Sequence, residues 1–190
     1  MVALTFDDGP SRDDLEPVLD ALDRAGVPGT FYIVGEQAAK NPGALEALVA
    51  AGHELGNHSW DHRRLVAVTP GTVEEEITST DEVIAAAGQE GPITFRPPNA
   101  KKLVVLPLWL AQYDRTTVMW DVEVDEFSET PTPEDLAAEA AAQVTPGSII
   151  LLHPWYGRER TRQAIGPLVE QLRAQGYSFV TVSDLLSRES

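Results

Sequence analysis

The sequence predicts a single-domain α/β fold, a (β/α)7 barrel with parallel strands. Short apolar runs alternate along the chain with longer segments whose apolar residues recur at helical spacing. Polar residues follow the first, third, fourth, fifth and sixth of these strands, and they can converge on one pocket if the strands close on themselves. An open doubly wound sheet would satisfy the alternation as well, so the spread of polar strand ends is what favours the barrel.

Each element follows from a local pattern. Seven strands are predicted at residues 2–6, 30–34, 54–57, 93–96, 117–121, 148–152 and 178–182. The helices between them should begin at capping residues or prolines and end at glycines. They are expected from Ser11 to Gly26, from Asn41 to Gly52, from Thr69 onward, over 103–113 with Pro107 near the start, from Thr132 onward, and over 162–175 before Gly176.

Composition limits the classes of partner. The 190 residues include 30 acidic and 14 basic side chains, which gives a formal net charge of −16. This charge argues against nucleic acid and anionic membrane surfaces as partners, and a neutral substrate fits better. There is no cysteine, so thiolate metal sites are excluded, and no apolar run approaches the length of a membrane span. A monomer without a signal peptide ahead of its first strand is expected, and the compartment is left open.

Two adjacent carboxylates, Asp7 and Asp8, stand where the first apolar strand ends, before Gly9 and Pro10. Adjacent residues at a strand end point to opposite sides, so the two could hold different roles. Like charges this close repel each other, which raises one pKa unless a cation lies between them. A plain Asp-Asp-Gly-Pro turn is the alternative, since these residues favour turns anyway.

A His-x-x-x-His pair, His58 and His62, follows the third strand. On a helical turn this spacing places both imidazoles on one face. Two such nitrogens with a carboxylate suit Zn²⁺ or a similar divalent ion and leave one position for water. Histidines at this spacing also occur as ordinary surface or core residues, so the pair alone does not decide. His53 falls at the start of the strand, where a packing role is expected.

Five ordered motifs resemble those of the polysaccharide deacetylases. They are TFDDGP at 5–10, HSWDH at 58–62, RPP at 96–98, WDVEVD at 120–125 and LLH at 151–153. That family comprises metal-dependent carbohydrate esterases that deacetylate chitin, chitooligosaccharides, peptidoglycan and acetylxylan. The resemblance extends from residue 2 to about residue 186. It implies a NodB-homology catalytic domain over 1–190 with a distorted (β/α)7 barrel, in agreement with the seven strands.

The resemblance also implies a metal site and a base. Asp8, His58 and His62 match the family's metal ligands for one divalent ion, with Zn²⁺ expected first and Co²⁺, Mn²⁺ or Ni²⁺ as alternatives. Asp7 matches the general base for the attacking water, since a metal lowers the pKa of water towards neutrality. Arg96 is implied to pair with Asp7, which would keep that carboxylate ionised and oriented.

His153 matches the family's general acid. Cleavage of an amide expels a poor amine leaving group, so a proton donor is needed. Asp125 is implied to bond the other imidazole nitrogen and to raise the pKa of His153. Asp121 competes with Asp125 for that role.

Expectations for substrate contacts are fewer. Leu151 matches the leucine that, in the family, helps to form the pocket for the acetyl methyl group. Trp155 and its neighbour Tyr156 could stack on a sugar face, although aromatic residues at barrel rims often only pack. Trp109 and Trp120 are expected in the core.

The third motif departs from the family, in which Tyr-Gly usually follows the two prolines, whereas Asn99 and Ala100 stand here. The backbone N–H of that tyrosine helps to stabilise the oxyanion in the family, and Asn99 keeps an N–H. The fourth motif lacks its trailing tryptophan, with Glu126 and Phe127 in its place. The missing tyrosine ring leaves the usual substrate preference open.

The function implied is hydrolysis of N-acetyl groups on N-acetylglucosamine-containing glycans such as chitooligosaccharide, chitin or peptidoglycan, with release of acetate. The expected partner is therefore an acetylated glycan. One alternative is a metal-dependent deacetylase of O-acetyl esters such as acetylxylan, or a hydrolase of another small amide, on the same barrel. The other is a carbohydrate-binding domain that keeps the fold without catalysis.

Overall fold

The computed structural model describes residues 1–124 and 132–188, and its strands form a parallel sheet. The strands are β1 (Ala3–Phe6), β2 (Thr30–Ile33), β3 (Glu54–Asn57), β4 (Val122–Glu123) and β5 (Ile149–Leu152). Their order in the sheet is β3-β2-β1-β5-β4, and each neighbouring pair is parallel. Every residue of β1 is buried, as expected for a central strand of a parallel sheet covered by helices. The predicted α/β class is confirmed.

Single parallel bridges extend the sheet into a distorted barrel. Asn57, at the end of β3, bridges to Phe95, and Phe95 bridges to Thr117. The chain then continues from Thr117 into β4, which pairs with β5, so parallel pairing runs round from β3 back to β5. At the start of β1, Val2 bridges to Phe179. The seven predicted strands therefore correspond to seven pairing segments of a distorted (β/α)7 barrel.

Two predicted strands, 93–96 and 117–121, are reduced to single bridges. The two prolines that follow Arg96 supply no N–H, so the first ladder stops there. The guanidinium group of Arg96 donates to the carbonyl oxygens of Val118 and Met119, each at 3.3 Å, where a second strand would otherwise pair. The chain can therefore pair regularly only beyond these carbonyls, in β4.

The helices of the described residues mostly lie where the sequence predicts them. They are α1 (Leu15–Ala25), α2 (Gly35–Lys40), α3 (Ala44–Ala50), α4 (Pro70–Ala86), α5 (Val105–Gln112), α6 (Pro133–Ala141), α7 (Glu159–Ala174) and α8 (Val182–Arg188). Thr69 and Thr132 cap α4 and α6 as predicted, because each side chain accepts a backbone N–H three residues later. Ser11 instead donates to Asp14, and α1 begins at Leu15.

Helices α2 and α8 were not predicted, and α8 replaces the end of a predicted strand. The N–H of Val182 donates to Thr30 Oγ1 at 2.9 Å, so this residue begins a helix instead of ending the strand at 178–182. No helix within the described ranges combines the length and the apolar character needed to cross a membrane.

Trp155 belongs to the main hydrophobic core, with only 1% of its surface exposed. Its ring centroid lies 6.0 Å from that of Phe31, and the indole also lies directly against Gly9. A Cβ at residue 9 would come within 2.3 Å of the indole Cε2. The expectation that Trp155 stacks on a sugar is therefore wrong, because the chain after β5 turns this ring into the core.

This contact predicts opposite effects for two glycine-to-alanine substitutions. Gly9→Ala should lower the free energy of unfolding by about 1–3 kcal/mol, since the new methyl group overlaps the Trp155 ring. Gly71→Ala is the matched control, because that glycine lies in α4 and its added Cβ would meet only Thr69 Oγ1, at 3.9 Å. The control should raise the free energy of unfolding by roughly 0.5–1 kcal/mol. Urea denaturation of both variants tests this, and equal effects would contradict the assigned packing.

Candidate active site

A pocket of about 350 Å³ opens at the carboxyl ends of the barrel strands. It gathers described residues from all five sequence motifs, since the loops after β1, β3 and β5 meet at this end of the barrel. Its lining consists of Asp7, Asp8, His58, His62, Arg64, Pro97, Asn99, Ala100, Lys101, Trp120, Glu123, Leu151 and His153.

Asp7 is held by a buried ion pair with Arg96. The Arg96 Nη1 lies 2.6 Å from Asp7 Oδ1 and 2.8 Å from Thr5 Oγ1. Arg96 is fully buried, and its Cζ lies 4.0 Å from the ring centroid of Tyr32. Burying two charges is costly unless they are paired and hydrogen-bonded, as both are here. The pair fixes the carboxylate so that Asp7 Oδ2 lies 3.7 Å from the Nε2 of His58.

Asp8, His58 and His62 form a donor set that fits a divalent metal ion. The Nε2 atoms of His62 and His58 lie 3.1 Å and 3.5 Å from Asp8 Oδ1. One candidate ligand atom from each residue lies within 4.8 Å of the others. Asp8 Oδ1 is buried, yet it accepts no well-directed hydrogen bond from the described residues. An unpartnered buried carboxylate oxygen beside two imidazole nitrogens is the arrangement that a bound cation would satisfy.

The two histidines determine the charge state of Asp8. Burial would raise the pKa of Asp8, but its close contacts with the imidazoles of His58 and His62 outweigh burial and hold that pKa well below its usual range. The contact with Asp8 in turn raises the pKa of His62. The neighbouring Asp7 charge was expected to raise a pKa, but the pKa of Asp8 is not raised, and Asp8 is therefore anionic.

The backbone of Arg96 orients His58. The carbonyl oxygen of Arg96 lies 2.7 Å from His58 Nδ1, and a carbonyl can only accept a hydrogen bond. The proton of the neutral imidazole is therefore on Nδ1, and Nε2 keeps its lone pair towards Asp8. Arg96 thus positions Asp7 with its side chain and His58 with its main chain.

Left-handed backbone, and not a helical turn, brings the two histidines together. Ser59 has φ 69° and His62 has φ 61°, so the expected helical spacing is wrong. Asp8 is also left-handed, with φ 74°, which turns its side chain back beside that of Asp7. The two carboxylates therefore do not point to opposite sides, since both lie within 3.7 Å of His58 Nε2.

Glu76 of α4 holds the loop that carries the two histidines, and it is not among the candidate residues predicted from the sequence. It is 4% exposed, and its Oε2 accepts the backbone N–H groups of Trp60 at 2.9 Å and Asp61 at 3.1 Å. The signal was present in the sequence. Glu76 lies three residues after Val73 and four before Thr80, which places it on the buried face of the helix.

His153 follows β5 and lines the same pocket, with its Nε2 3.9 Å from Asp8 Oδ2. Asp125, its implied partner, lies outside the described residues. Asp121, the alternative partner, lies at the start of β5, where its carboxylate accepts Ser148 Oγ–H at 2.6 Å and Ile149 N–H at 2.7 Å. Asp121 is therefore engaged at the opposite end of the strand from His153.

Asn99 lines the pocket from a left-handed turn, with φ 55°. The next two N–H groups, of Ala100 and Lys101, donate to the carbonyl oxygens of Pro97 and Pro98. For the N–H of Asn99 the described part of the chain provides no acceptor. Asparagine tolerates this backbone region better than most residues, which is consistent with its occurrence here.

The remaining walls of the pocket are partly apolar. Leu151 is almost fully buried and lines the pocket. Trp120 also lines it, with its ring centroid 5.4 Å from the Cζ of Arg96, so the expectation that Trp120 is a core residue is wrong. Tyr156 is not part of this lining, but its Oη donates to the Asp8 carbonyl oxygen at 3.0 Å. Burial and the Asp8 charge raise the pKa of Tyr156 to about 12, so its phenol keeps that proton.

Two residues considered from the sequence lie outside the site. His53 Nδ1 accepts the N–H of Gly29 at 3.2 Å, and burial lowers the pKa of His53. Its packing role is therefore confirmed. Trp109 packs at the edge of a separate apolar cluster and lies 4.4 Å from the ring of Tyr113, as its expected structural role requires.

The chain resembles known proteins along most of its length. Residues 1–117 match the family model described as polysaccharide deacetylase. The peptidoglycan-N-acetylglucosamine deacetylase PgdA of Listeria monocytogenes is 31% identical over 186 residues, which cover 97% of this chain and 38% of that protein. The chitooligosaccharide deacetylase of a Bradyrhizobium strain is 30% identical over 191 residues, covering 94% of this chain and 87% of that protein.

The fold similarity extends to a relative without activity. The structure of a family 4 carbohydrate esterase pseudoenzyme from Bacillus anthracis superposes with a TM-score of 0.86 at 26% identity, covering 98% of this chain and 65% of that one. This chain spans well under half the length of the Listeria protein. The family model covers more than half of the chain and includes the Asp-Asp, His-x-x-x-His and Arg-Pro-Pro motifs. The chain therefore belongs to the polysaccharide deacetylase family.

Proposed function

We propose that this chain is a metal-dependent hydrolase that removes N-acetyl groups from N-acetylglucosamine-containing glycans and releases acetate. The observation that supports it most is the joint placement of Asp7, Asp8 and His153 in one pocket with the two loop histidines. Asp7 is locked by Arg96, whereas Asp8 faces the imidazoles. A base, a metal donor set and an acid are the groups that amide hydrolysis needs.

The metal would be held by Asp8 Oδ1 and the Nε2 atoms of His58 and His62, because one candidate ligand atom from each residue lies within 4.8 Å of the others. Nitrogen and carboxylate donors without thiolates suit Zn²⁺, with Co²⁺, Mn²⁺ or Ni²⁺ as alternatives. When bound, a divalent ion lowers the pKa of water and polarises a carbonyl group.

Asp7 is the proposed general base. Its Oδ1 is bound to Arg96, so Oδ2 is the oxygen free to take a proton from the water that attacks the acetyl carbon. Arg96 prevents the carboxylate from rotating, because the guanidinium is itself fixed by Thr5, Val118 and Met119. A base held this rigidly keeps its geometry throughout the reaction.

His153 is the proposed general acid, since it lines the same pocket and its Nε2 lies 3.9 Å from Asp8 Oδ2. It would give its Nε2 proton to the sugar nitrogen as the C–N bond breaks, so that a free amine leaves. Asp125 is proposed to hold the other imidazole nitrogen, as the resemblance to the family implies.

The remaining atoms of the acetamide have proposed contacts as well. The Asn99 N–H would donate to the developing oxyanion, since Asn99 lines the pocket and its N–H has no acceptor among the described residues. Leu151 would contact the acetyl methyl group, because it supplies buried apolar surface at the same pocket.

Two other functions stay open to test. The same groups could cleave an O-acetyl ester such as that of acetylxylan, or another small amide, since the base and metal donors serve both reactions. A carbohydrate-binding role without catalysis is kept because a pseudoenzyme shares the fold. Acetate release from chitotetraose, peptidoglycan and acetylxylan with metal added back separates these three.

The first prediction concerns the metal. Elemental analysis of protein purified without chelator should find close to one equivalent of a divalent ion. Asp8→Ala and His62→Ala should lose most of it, because each removes one of three donors. Glu123→Ala is the matched control, since it removes a carboxylate that lines the pocket outside the donor set and should retain the ion. Full activity in chelator-treated, metal-free protein would contradict the proposal.

The second prediction separates the base from the metal ligand. Asp7→Asn should reduce acetate release by about 10²- to 10⁴-fold and keep the metal content of the unaltered protein. Asparagine Oδ1 can still accept from Arg96, so the buried guanidinium keeps a partner. Asp13→Asn, which neutralises an exposed carboxylate outside the pocket, is the control for charge. Unchanged turnover in Asp7→Asn would show that the base is another group.

The third prediction concerns the main chain of residue 99. Asn99→Gly keeps both the N–H and the left-handed backbone, so activity should fall only mildly. Asn99→Pro removes the N–H and cannot adopt φ 55°, so it should lower turnover by about 10²- to 10³-fold or more. Metal content measured on both variants shows whether the loop has distorted the donor set. A collapse of activity in Asn99→Gly with metal retained would assign the role to the side chain instead.

A further inference from the structure

The catalytic pocket has two cations at its mouth that no carboxylate of the described chain neutralises. Arg64 and Lys101 both line the pocket and are exposed to solvent. Neither has an ion-pair partner within the described ranges. Six of the other cations are each paired with a carboxylate: Arg24, Lys40, Arg63, Arg96, Arg115 and Arg162.

The cations next to Arg64 and Lys101 in the sequence, Arg63 and Lys102, do not line the pocket. Arg63 is held by ion pairs with Asp61 and Glu76, which leaves Arg64 as the arginine that faces the pocket. Lys101 closes the turn after Asn99 by donating its N–H to a proline carbonyl. The next lysine, Lys102, is equally exposed but does not line the pocket.

Both cations lie close to the reacting groups along the chain. Arg64 follows the metal-donor residue His62 by two positions, and Lys101 follows the oxyanion donor Asn99 by two positions. Two residues span at most about 7 Å of backbone. Because Arg64 and Lys101 line the same pocket as His62 and Asn99, an anion held there would lie on the same sugar as the acetamide or on the adjacent one.

We propose that Arg64 and Lys101 form an anion subsite that selects acetylated glycans bearing a carboxylate next to the scissile acetamide. This inference rests on the proposed deacetylase function. The overall charge of −16 would repel such a substrate, so local cations are needed to offset the repulsion at the pocket mouth. The proposed substrate is thus acidic, whereas the total charge of the chain favours a neutral one.

A pair of substrates that differ only in charge tests the inference. One is a tetrasaccharide of alternating N-acetylglucosamine and N-acetylmuramic acid, and the other is the same compound with its carboxylates converted to amides. The metal-loaded protein should show a lower KM for the acid than for the amide. This preference should decline as salt is raised above about 0.15 M, where screening is strong.

Arg64→Gln and Lys101→Gln should each reduce the acid-over-amide preference by about 1.5- to fivefold, as expected for exposed charge pairs. The double variant should abolish it, with the effect in KM more than in kcat. Lys102→Gln and Arg12→Gln are matched controls, because each removes one exposed positive charge outside the pocket and should leave the preference intact.

Titration calorimetry with the same two compounds measures binding without turnover, so it tests the anion subsite separately from the deacetylase activity. If neither compound releases acetate but the acid still binds more tightly than the amide, and the double variant loses this difference, the deacetylase proposal fails and the subsite stands. If acetate is released from both with equal KM, or the double variant keeps the preference, the subsite is overturned and the deacetylase proposal stands.

Discussion

The buried pair between Arg96 and Asp7 is the interaction on which the site depends. Its guanidinium spans the barrel from Thr5 on β1 to the carbonyls of residues 118 and 119, so it replaces part of the regular strand pairing there. The same residue orients His58 through its carbonyl oxygen. If this buried arginine shifted, it would leave a buried charge without its partner, which is strongly destabilising. The barrel is thus irregular at the point where its chemistry is located.

Irregular backbone has a specific purpose in this fold. Asp8, His62 and Asn99 all adopt left-handed conformations, although none is a glycine. Such conformations cost of order 1 kcal/mol or more each and persist only where surrounding contacts hold them. Glu76 and Tyr156 provide such contacts, by binding the backbone of the histidine loop and the carbonyl of Asp8. The fold therefore accepts a loss of conformational stability at these residues, because the left-handed backbone directs their groups into the site.

The sequence predicted which residues meet but not how the chain brings them together. Strand ends and motif spacing placed Asp7, Asp8 and His153 at one end of the barrel, because parallel strands share their carboxyl edge. The direction of the chain beyond a strand end leaves no periodic signal, so the inward turn of Trp155 was missed. The buried position of Glu76 was readable from helical spacing, but its charge favoured an exposed interpretation.

The central position of β1 has a consequence for how the chain is made. All three candidate metal donors lie within the first 62 residues, yet Thr5 bonds to Ile150, 145 residues later, and Asp8 is held by Tyr156, 148 residues later. A chain emerging from the ribosome therefore carries its full donor set long before the strand that positions it. Until β5 is synthesised, one edge of the apolar β1 has no partner, and such edges are prone to aggregate. The last third of the chain thus completes the candidate metal site, although all three candidate metal donors lie in the first third.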